Sequence, residues 1–289
     1  MNLAQRSVWW AVVFAALWAL VEALATDVLL HYSPYQIVWM RYGVHLAFML
    51  GIWGWRQPKS LWHTRRPLFQ LARSMLMLCM PACWITAIQV GVDPGALMAI
   101  FWSSPLLILV LARCFLAERV SVLIWALAAV AWFGIFLVFR PKSLPSLPSI
   151  IFPVGMALSF SLYVVMTRSL RTETWHANLF YSALGVFLAL SPLMPQVWVT
   201  PSVHDVMVML GVGVLGFGVL FAIDRLAVAA PVSVSAPVFA LQVVFTIGIA
   251  LALGHNHPTL RTALGLLVIC MSAFYVWCRG SSFDSKVPA

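Results

Sequence analysis

Charge is what this sequence has least of. Of its 289 residues only 9% are Asp, Glu, Lys or Arg, and the acids number eight. A soluble domain carries about 25% charged residues and about 45–50% apolar ones. Here 63% are apolar, and a soluble fold of that composition would expose apolar surface and aggregate. Acids this few and this scattered exclude the usual layouts of membrane-bound hydrolase or transferase chemistry, which cluster acids around a metal or pair Ser with His. Cysteine is also scarce. The five thiols (Cys79, Cys83, Cys114, Cys270 and Cys278) fall inside or at the edges of apolar runs and read as ordinary buried thiols. Cys79 and Cys83 share a helical face with Met, Leu, Pro and Ala, which supply no further metal ligands. There is no ATP-binding loop, so any work is driven by a gradient or a partner. No cofactor and no metal are expected. Nucleic acid is excluded as a partner, because the 17 Lys and Arg sit in short segments between apolar runs.

What the chain has in abundance is long apolar runs. A spanning helix needs about 20 such residues. Ten candidates occur: 8–30, 35–55, 68–90, 95–116, 120–139, 150–168, 175–194, 206–223, 232–253 and 260–278. The eighth is the shortest. These runs are twice the length of a barrel strand, so the backbone must satisfy itself in lipid as helix. The fold class is an all-α integral membrane protein of ten transmembrane helices. The lipid bilayer is its solvent, and the cytoplasmic membrane is the expected location. An even number of spans puts both termini on one side. With the N-terminus inside, the inner segments hold thirteen Lys and Arg, and the outer segments hold three (Arg140, Lys142 and Arg261). That asymmetry predicts cytoplasmic termini.

The chain also repeats itself. An offset of 141 aligns Ala16-Leu17 with Ala157-Leu158, Glu22 with Tyr163 and Asp27 with Arg168. An offset of 140 sets Arg41 on Tyr181, and 137 sets Pro94 on Pro231, Glu118 on His255 and Leu127 on Leu264. The expected organisation is a first five-helix unit at 1–140, an outer linker at 141–149, a second unit at 150–280 and a cytoplasmic tail at 281–289. Five is odd, so the second copy is inverted in the membrane. Inverted repeats are the signature of alternating-access carriers with a midplane site between the halves.

Five plus five short-looped helices, Trp18 in span one, Arg41 in span two and Pro105 inside span four form one set of marks. Ala117-Glu118-Arg119 closes span four, before a span with a small-residue stretch from Ala128 to Gly134. Together these resemble the bacterial drug/metabolite transporter superfamily, of the EamA type, over nearly all of 8–279. The second copy departs from the pattern with Gly254-His255 at its closing position and Tyr181 in place of the arginine. The resemblance implies transport of a small molecule, often export. Its members carry amino acids, nucleobase derivatives, sugars, vitamins and drugs.

Ionisable groups inside a span cost roughly 2.5–3.5 kcal/mol on insertion scales and are functional candidates by default. By helix rise, Glu22 lies about 12–14 Å below the outer end of span one and Arg41 about 9 Å below that of span two. Two readings stand side by side. Glu22 binds a substrate ammonium or a proton while Arg41 binds a carboxylate or phosphate, or the two form one structural ion pair. Trp18 shares a face with Glu22, and His45 shares one with Arg41. Trp18 suits cation–π contact with an organic cation, or plain core packing. His45 suits a proton relay, or a hydrogen-bonded core histidine. Trp102, Ser104, Tyr163, Tyr181 and Gln242 complete the candidate substrate site, and polar residues at this depth also serve helix–helix hydrogen bonding. Pro81, Pro105 and Pro237 are expected to kink their helices. Gly211 to Gly218 contains GxGxxG, but within an apolar span it reads as close helix packing. His255 and His257 form a loop pair without a third ligand.

The leading expectation is a secondary carrier for an amino acid or similar zwitterion, working as an exporter, with proton coupling through Glu22 or His45. The rival within transport is a multidrug or organic-cation exporter using Trp18 and Glu22. A lipid-modifying membrane enzyme and a channel are the rivals of other classes.

Overall fold

A computed structural model describes residues 1–254 and 258–284 of the chain. The loop histidines considered above, at 255 and 257, lie outside the described residues. Among those described the structure is helical throughout, with no strand. Nine helices are long and apolar enough to cross a membrane. They are Leu3–Val28, Pro67–Gln89, Pro94–Phe115, Val122–Phe139, Ile151–Ser169, Trp175–Val197, Val203–Ala229, Val232–Ala252 and Leu260–Arg279. Between the first two of these lies Pro34–Met49, which a π-helical stretch, Leu50–Gly54, continues. It completes ten spans, numbered below in chain order. The chain is a multi-pass membrane protein.

Local chemistry sets the helix starts. Asn2 and Gln5 form a capping box, each side chain accepting from the other's backbone N–H, at 2.8 and 3.2 Å. Asp93, Ser121, Thr174 and Ser202 cap spans four, five, seven and eight with their side chains. Pro34, Pro67 and Pro94 open spans two, three and four, where a missing N–H costs nothing. The eighth span corrects the sequence reading. It runs 27 residues and is the longest α-helix described, not the shortest. Asp205 and Asp224 interrupt the apolar run without ending the helix. The Asp205 N–H is capped by Ser202, and Asp224 is bonded by Asn178 and Arg225.

Spans four and nine are discontinuous. Span four breaks at Trp102-Ser103, just before Pro105, and span nine passes through a 3-10 stretch, Ala236–Ala240, that contains Pro237. Pro81, by contrast, sits inside an unbroken helix. Packing between spans follows a rule. Span one packs on eight and span six on three; two packs on eight and seven on three; one packs on nine and six on four. Spans two and seven pack on each other, as do five and ten. Exchanging the halves maps this set of pairs onto itself, although span one also packs on ten without a comparable contact of six with five among the described residues. At the contact of five with ten, Gly134 and Gly265 abut backbone to backbone, and a Cβ on either would come within 2.8 Å of the other's carbonyl.

Candidate functional site

A cavity of about 400 Å³ opens among the first four spans, at the end away from the chain termini. Span one contributes Trp18, Glu22 and Thr26; span two contributes Ile37, Val38 and Arg41. Span three adds Met80, Pro81 and Trp84, and span four adds Met98 and Phe101. The second half supplies only Met156 and Val212. Leu29 and Pro34, flanking the turn between spans one and two, form its rim. A separate, much smaller pocket of about 20 Å³ lies on the other side of Trp18 and Arg41, against Met77, Met80, Val219, Leu220 and Ile223.

Glu22 sits in a cradle of neutral donors. Trp18 Nε1–H donates to Oε1 at 2.8 Å; Gln242 Nε2–H donates to Oε2 at 2.5 Å and Thr246 Oγ–H at 3.0 Å. Trp18 reaches it because the two are one helical turn apart. Gln242 and Thr246 repeat that spacing on span nine, beyond the 3-10 stretch. Arg41 makes no ion pair with Glu22, since among the described residues neither has an opposite charge within 4.0 Å. The Arg41 guanidinium instead donates to the Tyr42 hydroxyl at 3.0 Å and lies 4.7 Å from that ring's centroid, while its Nε has no partner. Span eight makes room for it. A Cβ on Gly216 would meet Arg41 Cδ at 2.8 Å, so the glycine lets the arginine stem lie flat against the helix. The GxGxxG run is thus a packing face. The cavity therefore holds one carboxylate and one guanidinium, both ordered and neither neutralised by the other. Such a site suits a solute carrying both charges.

Of the nine candidate residues, Trp18, Glu22 and Arg41 line the cavity, and Gln242 orders Glu22 from behind. The other five lie elsewhere. His45 stands behind Arg41, its Nε2 bonded to the Gly213 carbonyl at 2.9 Å. Trp102 is buried in a second layer, 6.4 Å from the Trp18 ring. The Ser104 hydroxyl turns back to the Phe101 carbonyl, as a serine beside a helix break does. Tyr163 and Tyr181 lie in the second half, towards the terminal end. Tyr163 contacts Ser182, and Tyr181 donates to the Trp62 carbonyl at 3.1 Å. Sequence reasoning did not single out Trp84, Met80, Met98, Met156 or Thr246. Apolar lining residues carry no signal distinct from core. Thr246 had one, its place a turn after Gln242.

The terminal end is closed by two polar systems. Glu118 accepts from the backbone N–H of Val232 and Ser233 at 3.1 and 3.0 Å, and lies 3.8 Å from Arg168. The turn that aims it requires Ala117 at φ +53°, a left-handed conformation. Beside it lies a buried network. Arg73 donates to Gln70, Thr167, Ser182 and the Asn178 carbonyl at 2.6–3.0 Å. Asn178 in turn donates to Asp224, which also pairs with Arg225. At the opposite end Tyr32 bonds Asp205 and Gln36 bonds the Val199 backbone, tying the first two spans to the second half. That hydrogen bond to the carboxylate holds the Tyr32 phenol above its ordinary value.

The EamA-like transporter family model matches residues 5–140, the half that builds most of this cavity. Residues 5–140 are similar to the EamA-like transporter family. That match and the names of the relatives below indicate a transporter and not an enzyme. The S-adenosylmethionine uptake transporter of Rickettsia conorii is 23% identical over 264 residues, which are 89% of either chain. The protein of the same name from Rickettsia prowazekii is 24% identical, over 79% of this chain and 78% of its own. That from Rickettsia bellii is 22% identical over 93% and 94%. A crystal structure of another protein superposes with a TM-score of 0.79 at 17% identity, over 96% of this chain and 98% of that one, a likeness of fold.

Proposed function

We propose that this transporter takes up S-adenosylmethionine, or a solute of the same charge layout, across the cytoplasmic membrane. The observation that carries the reading is the unpaired Glu22 and Arg41 in one open cavity. S-adenosylmethionine brings a carboxylate, an ammonium, a sulfonium and a purine. Arg41 takes the carboxylate through its fork of donors. Glu22, ordered by Trp18, Gln242 and Thr246, takes the onium charge. Trp18, Trp84 and Phe101 offer aromatic faces to the purine and the sulfonium. A volume of about 400 Å³ falls within the usual 300–1,000 Å³ of small-molecule sites.

The Lys and Arg asymmetry supports cytoplasmic termini, so the cavity faces outward and the Glu118 and Arg73 systems close the inner end. The exchange symmetry of the span contacts supports two inverted five-helix units that rock about the site. The family resemblance favours export, and the opposite charges of Glu22 and Arg41 suit an amino acid or similar zwitterion. The relatives' names favour uptake, and they favour a solute larger than a plain amino acid. The rival organic-cation reading keeps Glu22 and drops Arg41.

Purified protein in liposomes tests this. Saturable entry of labelled S-adenosylmethionine is expected, lost in Glu22→Gln and in Arg41→Gln. If Arg41→Gln transports as well as the native chain, the solute's carboxylate is not read and the cation rival takes over. If S-adenosylmethionine neither enters nor exchanges, the reading fails.

A further inference from the structure

The closed end mirrors the open one residue by residue. A Cβ on Gly213 of span eight would meet Val44 of span two at 2.6 Å, and one on Gly185 of span seven would meet Ser74 of span three at 2.7 Å. These two contacts exchange under the repeat. Val44 corresponds to Gly185 at an offset of 141, and Ser74 to Gly213 at 139. Arg73 is therefore the counterpart of Val212. The same offset of 141 adds Tyr163 for Glu22, Thr167 for Thr26 and, on the span-two register set by Val44 and Gly185, Ser182 for Arg41. Glu22, Thr26, Arg41 and Val212 all line the open cavity. Their counterparts all lie in the buried polar cluster around Arg73.

We infer that this cluster is the collapsed inward-facing chamber, and that Arg73 and Asp224 form a second, release-side station for the zwitterionic solute. The inference rests on the proposed function. Arg73 is 1% exposed, every acceptor it meets is neutral, and its Nε has no partner. A lock between helices needs only neutral hydrogen bonds, and an unpaired buried cation is costly within a membrane. A fixed positive charge becomes useful when a carboxylate arrives. Its bonds to Thr167, Asn178 and Ser182 cross from span three to the second half, so parting the halves frees its donors. The same parting loosens the bond from Gln70 to Asn178, which lies next to Asp224 at 2.7 Å. Asp224 is then placed to receive the onium charge while Arg73 holds the carboxylate.

The test measures half-saturation from each membrane face, with S-adenosylmethionine and with its decarboxylated analogue. Arg73→Gln is expected to raise the inner-face value for S-adenosylmethionine at least tenfold. It should leave the outer-face value within twofold and the analogue unaffected at both faces. Arg73→Lys should recover much of the loss. Asp224→Asn should raise the inner-face value for both solutes. A change that is equal at both faces, or equal for both solutes, makes Arg73 packing alone and overturns the station. A Ser182→Cys chain keeps the question open to a result if Arg73→Gln does not fold. An impermeant thiol reagent should modify it from the inner face, with saturating solute protecting it. No modification, or none blocked by solute, overturns the proposal. Absence of S-adenosylmethionine transport by the native chain is a different result, and it sinks the proposed function instead.

Discussion

The two halves carry the same helices and unlike chemistry. At the positions that the sequence offsets of 141 and 140 align, the first half has Glu22 and Arg41, and the second has Tyr163 and Tyr181. In the first half the two charges face an open cavity, each without an opposite charge near it. In the second half the two tyrosines help hold the closed end, and the charges there come from Arg73 and Asp224 on spans three and eight. On the proposed reading of two inverted units, the copies need not do the same work. The two chambers proposed are equivalent in position, and each is furnished from whichever spans reach it.

The sharpest break in this comparison is removal of the open-end charges. Glu22→Gln and Arg41→Gln should each lower uptake at least about 100-fold, since a charge-assisted contact to solute contributes about 1.5–3 kcal/mol and each also aligns the solute. Tyr163→Phe and Tyr181→Phe, at the corresponding positions, should cost less than about fivefold in the same liposome assay. A double charge swap, Glu22→Arg with Arg41→Glu, should stay inactive. Recovery of transport would show that the two form a structural pair after all. Next in size is Glu118→Gln, which weakens the tie between the turn after span four and the start of span nine. Losing charge-assisted bonds worth about 1–2 kcal/mol in net should favour the inward-facing form. Spin-label distances across the inner end would lengthen, and those across the cavity mouth would shorten.

Smaller effects test single details. Ala117→Gly should stabilise the protein by about 0.5–1 kcal/mol, because it relieves a left-handed alanine and gives back part of that in chain entropy. A thermal unfolding series in detergent would read it. His45→Gln should leave the pH profile of uptake unchanged and lower its rate by less than about threefold. Its ring is fixed on the Gly213 carbonyl behind Arg41 and lines neither cavity, so a shifted profile would restore the proton-relay reading.

Much of this was legible before any coordinates. All ten spans, nine of them to within about five residues, followed from apolar length alone, because lipid leaves the backbone no other solution. The exception in extent was span eight, whose apolar run, 206–223, lies between Asp205 and Asp224. Both lie within the helix, and their partners come from the turn between spans one and two (Tyr32), from span seven (Asn178) and from just beyond the apolar run (Arg225). Glu22 and Arg41 stood out because charge within a span is rare. Arg73 did not. It falls near the inner end of span three, so it was counted with the loop cations, and only packing reveals that it is buried.

The sequence by itself determined that the chain is a ten-helix membrane protein and which rare side chains lie within it. Those follow from composition and period, which are local and additive. Only the tertiary structure decided that Glu22 and Arg41 stay apart, that Gln242 and Thr246 order the carboxylate from across the bundle, and that the terminal end is the closed one. These depend on which helices touch and how deeply each is set. Close packing between distant segments decides that, and no single segment records it.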